Sequence, residues 1–431
     1  MSDELALFNQ NHIEGIPWPK WPIIEKSDKT TVLDALENSK LSVLKKEGII
    51  DEFEKTFAEK FSAKYALSFS SGTAAIHSAC FACGSGPGFE VLTPSYTWMS
   101  AITAILHGNG TPIFCDVRKN TFFIDPEQIV KKATPNTKAV IVCHAWGIPA
   151  PMDEILDAAR SRNIMVIEDA SHSHGAIYKG QPVGTIGDIG CFSLQASKPL
   201  PAGEGGVLVT NNQLLYERAI IPGHHDARLK QCLTLPETEK FSQSGAYWKY
   251  RATPLEMALA SEQLKKFDKM NMAKRRNFEA LEKEIKDIPF LDFPDLSSSD
   301  RRGYYCCPCL YNYDQNKVSR KIFIEALMAE GATVFPGYDE NWYLSPILQD
   351  MALFKQFWVQ EFANGTKYQP LQYGDLPNTD NVVTRGIVFP TWGIEVPELV
   401  SQYVKAFKKV ANQMNKLEEY QHSKQVPTYE K

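Results

Sequence analysis

Two residues in this chain are of types that could run amine–carbonyl chemistry, Lys198 and Asp169. Lys198 stands in Gln195-Ala196-Ser197-Lys198-Pro199, directly after the apolar run 191–194. Pro199 disfavours helical backbone at the residue before it, so Lys198 is a loop lysine. Gly203-Glu204-Gly205-Gly206 follows, and its glycines permit close backbone approach. A lysine whose proton affinity is lowered by burial or by cationic neighbours is a nucleophilic amine, able to form an imine with an aldehyde. Taken alone, a loop lysine is more often solvated. Asp169 ends the run Met165-Val166-Ile167-Glu168. A carboxylate at the carboxyl end of a parallel strand faces the ligand crevice, where it can hold a ring nitrogen protonated. Asp is equally at home as a turn residue or helix N-cap. Glu168, its neighbour, points to the opposite side of the strand.

Three further parts stand at comparable places. Ser71-Gly72-Thr73 opens a helical segment, where free N–H groups and the Thr73 hydroxyl can receive an anion, although a plain N-cap reads the same way. Ser193 precedes Lys198 on its strand and can donate to the same anion. Trp98, in Pro94-Ser95-Tyr96-Thr97-Trp98, follows another strand end; its indole can stack on a flat ring or simply fill a core. An imine-forming lysine, a carboxylate for a pyridine nitrogen, donors for a phosphate and an aromatic face are the parts that pyridoxal 5'-phosphate requires.

The elements that must position these residues follow a repeating pattern. Short apolar runs at 65–67, 90–92, 112–117, 139–143, 164–167, 191–194 and 206–210 are separated by turns or amphipathic helices such as 151–162. They are apolar on both faces, as in a mostly parallel sheet covered by helices. The expected fold class is therefore α/β, with a mostly parallel seven-stranded sheet. From about residue 254 the pattern changes to a long helix, 255–285, a loop at 293–300, a strand at 304–311, a helix at 319–330, an irregular stretch at 335–350 and a closing helix at 397–417. The expected organisation is an N-terminal segment and large cofactor-binding domain over 1–255, a smaller α+β domain over 256–417, and a poorly ordered polar tail over 418–431.

The segments Phe69-Ser70-Ser71-Gly72-Thr73-Ala74-Ala75, Thr93-Pro94-Ser95-Tyr96-Thr97-Trp98, Ile167 to Ala176, Phe192 to Lys198, Ala202 to Gly206, and Tyr250-Arg251-Ala252-Thr253 together resemble the DegT-type sugar aminotransferases, a family of fold-type-I pyridoxal-phosphate enzymes. The resemblance covers nearly the whole chain. It implies that Lys198 is the Schiff-base lysine and the base that moves the proton during transfer. It also implies that Asp169 pairs with the pyridine nitrogen, that Gly72, Thr73 and Ser193 bind the phosphate, and that Trp98 stacks on the ring. It further implies a homodimer with active sites at the subunit interface, and pyridoxamine phosphate as the half-reaction product. Two positions depart from the family pattern. His172 stands where many members have a Gln that contacts the cofactor's 3'-oxygen, and a protonated histidine there would alter the electron balance of the imine. Lys249 stands where many have an Asn that reaches the neighbouring subunit's phosphate, and a lysine would act there as a point charge. A dehydratase branch of the family carries His in place of the lysine, and Lys198 argues against that branch.

Substrate contacts are expected from the stretch 335–350, whose Trp342 and Tyr343 suit a sugar face or else pack the surface, and from Arg251, a candidate carboxylate or phosphate ligand or else an ion-pair member. The expected reaction moves an amino group from glutamate or glutamine to a keto-sugar or keto-cyclitol, in surface-glycan or natural-product synthesis. A non-catalytic cofactor-binding regulator is the alternative of a different class. A visible band that shifts on adding an amino donor separates the two. Another pyridoxal-phosphate reaction, such as elimination, shares the same parts. The formal charge of −5 offers no basic surface for nucleic acid. No membrane-spanning run or secretory leader is evident, so the expected location is the cytosol. Nine cysteines are then expected as thiols. Cys80/Cys83 and Cys306/Cys309 have CxxC spacing, but lie in helix and strand patterns that favour core packing over zinc. His224-His225-Asp226 and His172/His174 are likewise read as loop and cofactor-shell residues, so no metal is expected.

Overall fold

The computed structural model describes residues 4–9, 13–38, 41–245, 248–350 and 368–424. Its apolar runs form one sheet from β1 (Tyr65–Phe69), β2 (Glu90–Pro94), β3 (Thr111–Cys115), β4 (Thr137–Cys143), β5 (Met165–Asp169), β8 (Ile189–Ser193) and β9 (Gly206–Thr210), while β6 (Ile177–Tyr178) and β7 (Gln181–Pro182) make a separate hairpin. The order across the seven-stranded sheet is β1-β9-β8-β5-β4-β2-β3. Strands β8, β5, β4, β2 and β3 pair in parallel, and only β9 runs against both its neighbours, β1 and β8.

The doubly apolar runs have a packing cause. In β4, Ala139 and Ile141 face one buried cluster and Val140 and Val142 face another, so both faces lie under helices. The helix Gly72–Ala82 presents Ala74, Ala75 and Ala79 to the first cluster, small residues that let it lie close on the sheet. Because β1, β2, β4, β5 and β8 all point one way, the segments that leave their carboxyl ends emerge along a single edge.

The helix Pro254–Ile285 leads into the C-terminal layer. Thr253 caps it through a capping box with Glu256, and Pro254 takes the first helical position. It packs against the helices Lys26–Glu37, Gly48–Lys60 and Pro397–Ala411. Beyond it lies a three-stranded antiparallel sheet, β10 (Leu291–Asp292), β11 (Cys307–Tyr311) and β12 (Gly386–Phe389). This sheet has its own core, including Phe278, Phe323, Phe389, Tyr403 and Phe407.

Several boundaries differ from the sequence expectation. The strand expected at 304–311 begins only at Cys307, because Tyr304 adopts a positive φ of 50° that no strand accommodates. β12 and the helix Pro377–Arg385 fall in a stretch for which no element was expected. The closing helix stops at Ala411, and a second helix, Met414–Ser423, runs into the stretch expected to be a poorly ordered tail. Leu417 and Gln421 hold that helix by burial, and Gln421 Oε1 accepts the Ser319 N–H at 2.7 Å. The rest of that tail, 425–431, lies outside the described residues. Among the described residues, no helix is long and apolar enough to cross a membrane.

Candidate active site

Asp169 is the last residue of β5 and is buried. Its carbonyl accepts the His144 N–H at 3.1 Å, and its Oδ1 accepts the Ser171 N–H at 3.1 Å. Glu168 points the other way, as strand alternation requires. Glu168 Oε2 accepts His144 Nε2–H at 3.0 Å and the Gly184 N–H at 2.8 Å, and its Oε1 accepts the Ile186 and Gly187 N–H groups at 2.7 and 2.6 Å. The strand end that presents Asp169 is thus anchored from behind.

Lys198 is placed by a loop tied down at both ends. Leu194 N–H donates to Gly205 O at 2.9 Å, Ala196 N–H to Gly203 O at 2.9 Å, and Lys198 N–H to Gln195 O at 2.8 Å. Gly203 and Gly205 have φ of 91° and 135°, which glycine tolerates and other residues rarely adopt. Among the described residues, Lys198 Nζ makes no hydrogen bond or ion pair; it lies 4.5 Å from the centre of the Tyr305 ring. Burial lowers the proton affinity of its amine, and Asp169, Cys306 and Cys143 act in the opposite sense.

Ser71 caps the helix Gly72–Ala82 by accepting the Ala74 N–H at 3.1 Å. The first-turn N–H groups that no helix satisfies internally then stand beside Ser193. A Cβ built on Gly72 would come 2.9 Å from Ser193 Cβ, and one on Gly206 would come 2.3 Å from Ser71 O, so only glycine allows this approach. Gly72, Thr73, Trp98, Asp169, His172, Ser193 and Lys198 line one cavity of ≈580 Å³, together with Glu204, Trp146, Tyr305 and Tyr338. Trp98 is 53% exposed, with a face free for a ligand. A larger surface hollow, ≈1010 Å³, lies along the helix Pro397–Ala411. Its Lys409 is ion-paired with Glu330 at 2.8 Å and offers no free amine.

His172 is buried and accepts the Trp146 N–H on Nδ1 at 3.3 Å, which leaves its hydrogen on Nε2. Burial first, then the nearby positive charge of Lys198, pushes its proton affinity well below the usual imidazole value. A neutral histidine with a fixed Nε2–H can donate a hydrogen bond as a glutamine amide does.

The other expected site residues fall elsewhere. Lys249 is exposed, has a φ of 62° and is outside this cavity. Asn tolerates such a backbone better than Lys does. Arg251 makes a backbone bridge to Phe69, and its Nη1 is buried with no hydrogen-bond partner among the described residues, but it does not line the cavity. Tyr343 is a correction to the expected sugar face: it is fully buried, packs in a core with Ile102 and Phe114, and donates its hydroxyl to Asp380 at 2.5 Å. Trp342 does not line the cavity either; it packs on the edge of that same core and touches the lining residue Trp98 edge-on at 5.7 Å.

Several lining residues were not anticipated, Trp146, Tyr305 and Tyr338 among them. Trp146 follows the carboxyl end of β4, and the rule that found Asp169 and Trp98 would have found it. Tyr305 and Tyr338 come from the C-terminal layer, and no local pattern marks them. Among the described residues, no three His, Cys, Asp or Glu side chains converge as a metal site.

The fold is that of the fold-type-I aminotransferases, and an amine and a carboxylate line one cavity at the carboxyl edge of its sheet, beside a helix N-terminus. The family model described as the DegT/DnrJ/EryC1/StrS aminotransferase family matches residues 22–407, and the chain belongs to that family. It is 30% identical over 358 residues to the L-glutamine:2-deoxy-scyllo-inosose aminotransferase of Streptomyces kanamyceticus, covering 78% of this chain and 81% of the relative. It is 30% identical over 336 residues to the GDP-perosamine synthase of Escherichia coli O157:H7, covering 77% and 89%. The crystallised aminotransferase from Psychrobacter cryohalolentis has the same fold, with a TM-score of 0.81 at 25% identity over 93% of this chain and all of that one.

Proposed function

We propose that this aminotransferase carries pyridoxal 5'-phosphate on Lys198 and moves an amino group from glutamate or glutamine to a keto-sugar or keto-cyclitol. The observation that carries the reading is the Lys198 amine, which makes no ion pair among the described residues and lines the cavity that Asp169 also lines. The residues fit the cofactor: the close approach of Gly72 to Ser193 at the helix N-terminus is a phosphate cradle that a Cβ would fill. When bound, the cofactor supplies an aldehyde for the lysine and an electron-poor ring that takes up the electron pair left when a proton leaves carbon.

The chain's own groups do the rest. The Asp169 carboxylate keeps a proton on the ring nitrogen. His172 Nε2–H donates to the ring oxygen without adding charge. Trp98 offers its face to the ring. Lys198 Nζ, released when the amino donor takes its place, is the base that removes the proton from the donor's α-carbon and returns one in the second half-reaction. Trp98, braced edge-on by Trp342, is the aromatic side of the cavity and suits the C–H face of a sugar or cyclitol. Lys249 reaches the phosphate of a second copy of the chain, which makes the working form a homodimer. The two relatives named above, one acting on a cyclitol and one making an amino-sugar nucleotide, support a role in natural-product or surface-glycan synthesis.

Lys198→Ala should lose both the imine absorption and all turnover. Product would be followed by mass, with keto-sugars and keto-cyclitols offered to protein preloaded with glutamine or glutamate. Turnover that survives in Lys198→Ala would show that the chemistry lies elsewhere.

A further inference from the structure

Lys198 is the one cavity residue whose working group must be free at one stage and bonded at another, yet among the described residues nothing hydrogen-bonds its amine. What does face it is the Tyr305 ring, with Nζ 4.5 Å from the ring centre, inside the range of a cation–π contact. Tyr305 is held there from several directions. Its ring stacks on His172 at 4.3 Å and 25°. Its hydroxyl lies 3.3 Å from Ser197 Oγ, on the residue before the lysine. Its carbonyl accepts the Thr391 hydroxyl at 2.9 Å, a bond from the C-terminal layer. A Cβ built on Gly147, at the carboxyl edge of the large sheet, would come 3.2 Å from the Tyr305 amide nitrogen, so the two layers meet at this residue.

We propose that Tyr305 is a positioning residue for Lys198: its ring face holds the protonated amine at the cavity wall whenever the lysine is free, so that the amine neither swings into solvent nor seals onto Asp169. The inference rests on Lys198 being the imine-forming amine. The other groups facing that amine are Asp169 from β5, Cys143 from β4, Cys306 from the lead into β11, His172 and His174 from the segment after β5, and Glu204 from the glycine-rich loop. None of these groups is itself altered in a Tyr305 variant, and the Phe and pentafluorophenylalanine rings both keep the stack on His172, so the difference between those two isolates the polarity of the ring face.

The test uses the full-length protein freed of cofactor and measures the pH dependence of the rate at which Lys198 captures added pyridoxal phosphate, read as imine absorbance. Tyr305→Phe keeps the ring face and should leave the pH midpoint where it is in the unaltered protein. Tyr305→Leu removes the face and should lower the midpoint by about half to one pH unit, since the protonated amine loses its attraction. Pentafluorophenylalanine placed at 305 keeps the shape of Phe and reverses the polarity of the face, so it should shift the midpoint in the same direction as Leu even if the Leu variant folds poorly. An unshifted midpoint in both Leu and pentafluorophenylalanine proteins would overturn the proposal, whatever happens to turnover. A Phe variant that shifts as far as Leu would also overturn it, because the hydroxyl would then be the acting group. Absence of any imine in the unaltered protein would instead overturn the assignment of Lys198 itself.

Discussion

At the scale of single residues, Gly72 is the strictest demand that the cavity makes. Its missing side chain lets the helix N-terminus close on Ser193, whose Cβ and Cα lie 2.9 and 3.2 Å from where a methyl group would sit. Backbone atoms cannot rotate out of the way, so Gly72→Ala should push the N–H groups off the phosphate and weaken pyridoxal-phosphate binding by about tenfold or more, as measured by titration. Affinity that stays within twofold would mean that the phosphate is held elsewhere. His172 belongs to the same scale. From sequence alone its charge was open; the Trp146 N–H on Nδ1 and the burial of the ring decide for the neutral form with its hydrogen on Nε2.

At the scale of elements, the turn Trp342–Leu344 and the helix Pro254–Ile285 carry different kinds of prediction. Trp342 packs on the edge of the core that buries Tyr343 and braces the cavity residue Trp98 edge-on. Trp342→Ala should therefore raise the KM for the keto acceptor by roughly tenfold and leave the amino-donor half-reaction within about twofold. Equal loss in both halves would place the tryptophan in the fold and not in substrate binding. Thr253 caps the long helix with Glu256 answering as a capping box, the Glu256 carboxylate accepting the Thr253 N–H at 3.0 Å. Thr253→Ala should cost about 1 kcal/mol of stability in urea unfolding with activity retained. The sequence marked this start plainly, by Thr, Pro and Glu in order. The sequence also carries a mark for β12, the short apolar run Ile387-Val388-Phe389, which the expectation passed over.

At the scale of the whole molecule, the number of buried histidines sets a pH limit. Burial depresses the proton affinity of His77 and His174, each to about 3, and pushes His172 and His224 well below the usual value. The unfolded chain takes up protons on these imidazoles below its ordinary value near 6.5, and the folded chain does not. Stability is therefore full above about pH 6.5 and drains as pH falls from there toward 3, by roughly 1.4 kcal/mol per pH unit for each such histidine. The thermal midpoint should be nearly level from pH 7.5 to 6.5 and drop clearly by 5.5. Equal midpoints at 7.5 and 5.5 would show that these rings are not held neutral.

The amino-acid sequence by itself determined the strand-rich α/β half, because both-face burial writes uninterrupted apolar runs into a parallel strand. It also marked Lys198, Asp169, Gly72 and Trp98, because residues just past strand ends must emerge at one edge once the strands run parallel. Only the tertiary structure decided what surrounds them. Tyr305 and Tyr338 arrive at the cavity from the C-terminal layer, and no local spacing encodes a contact made across that distance in the chain. Trp342 and Tyr343, neighbours with similar composition cues, meet one core to different depths: Tyr343 lies wholly inside it, while Trp342 packs on its edge and reaches Trp98. Side-chain direction in an irregular segment is set by what packs beneath it, and that is a property of the folded whole.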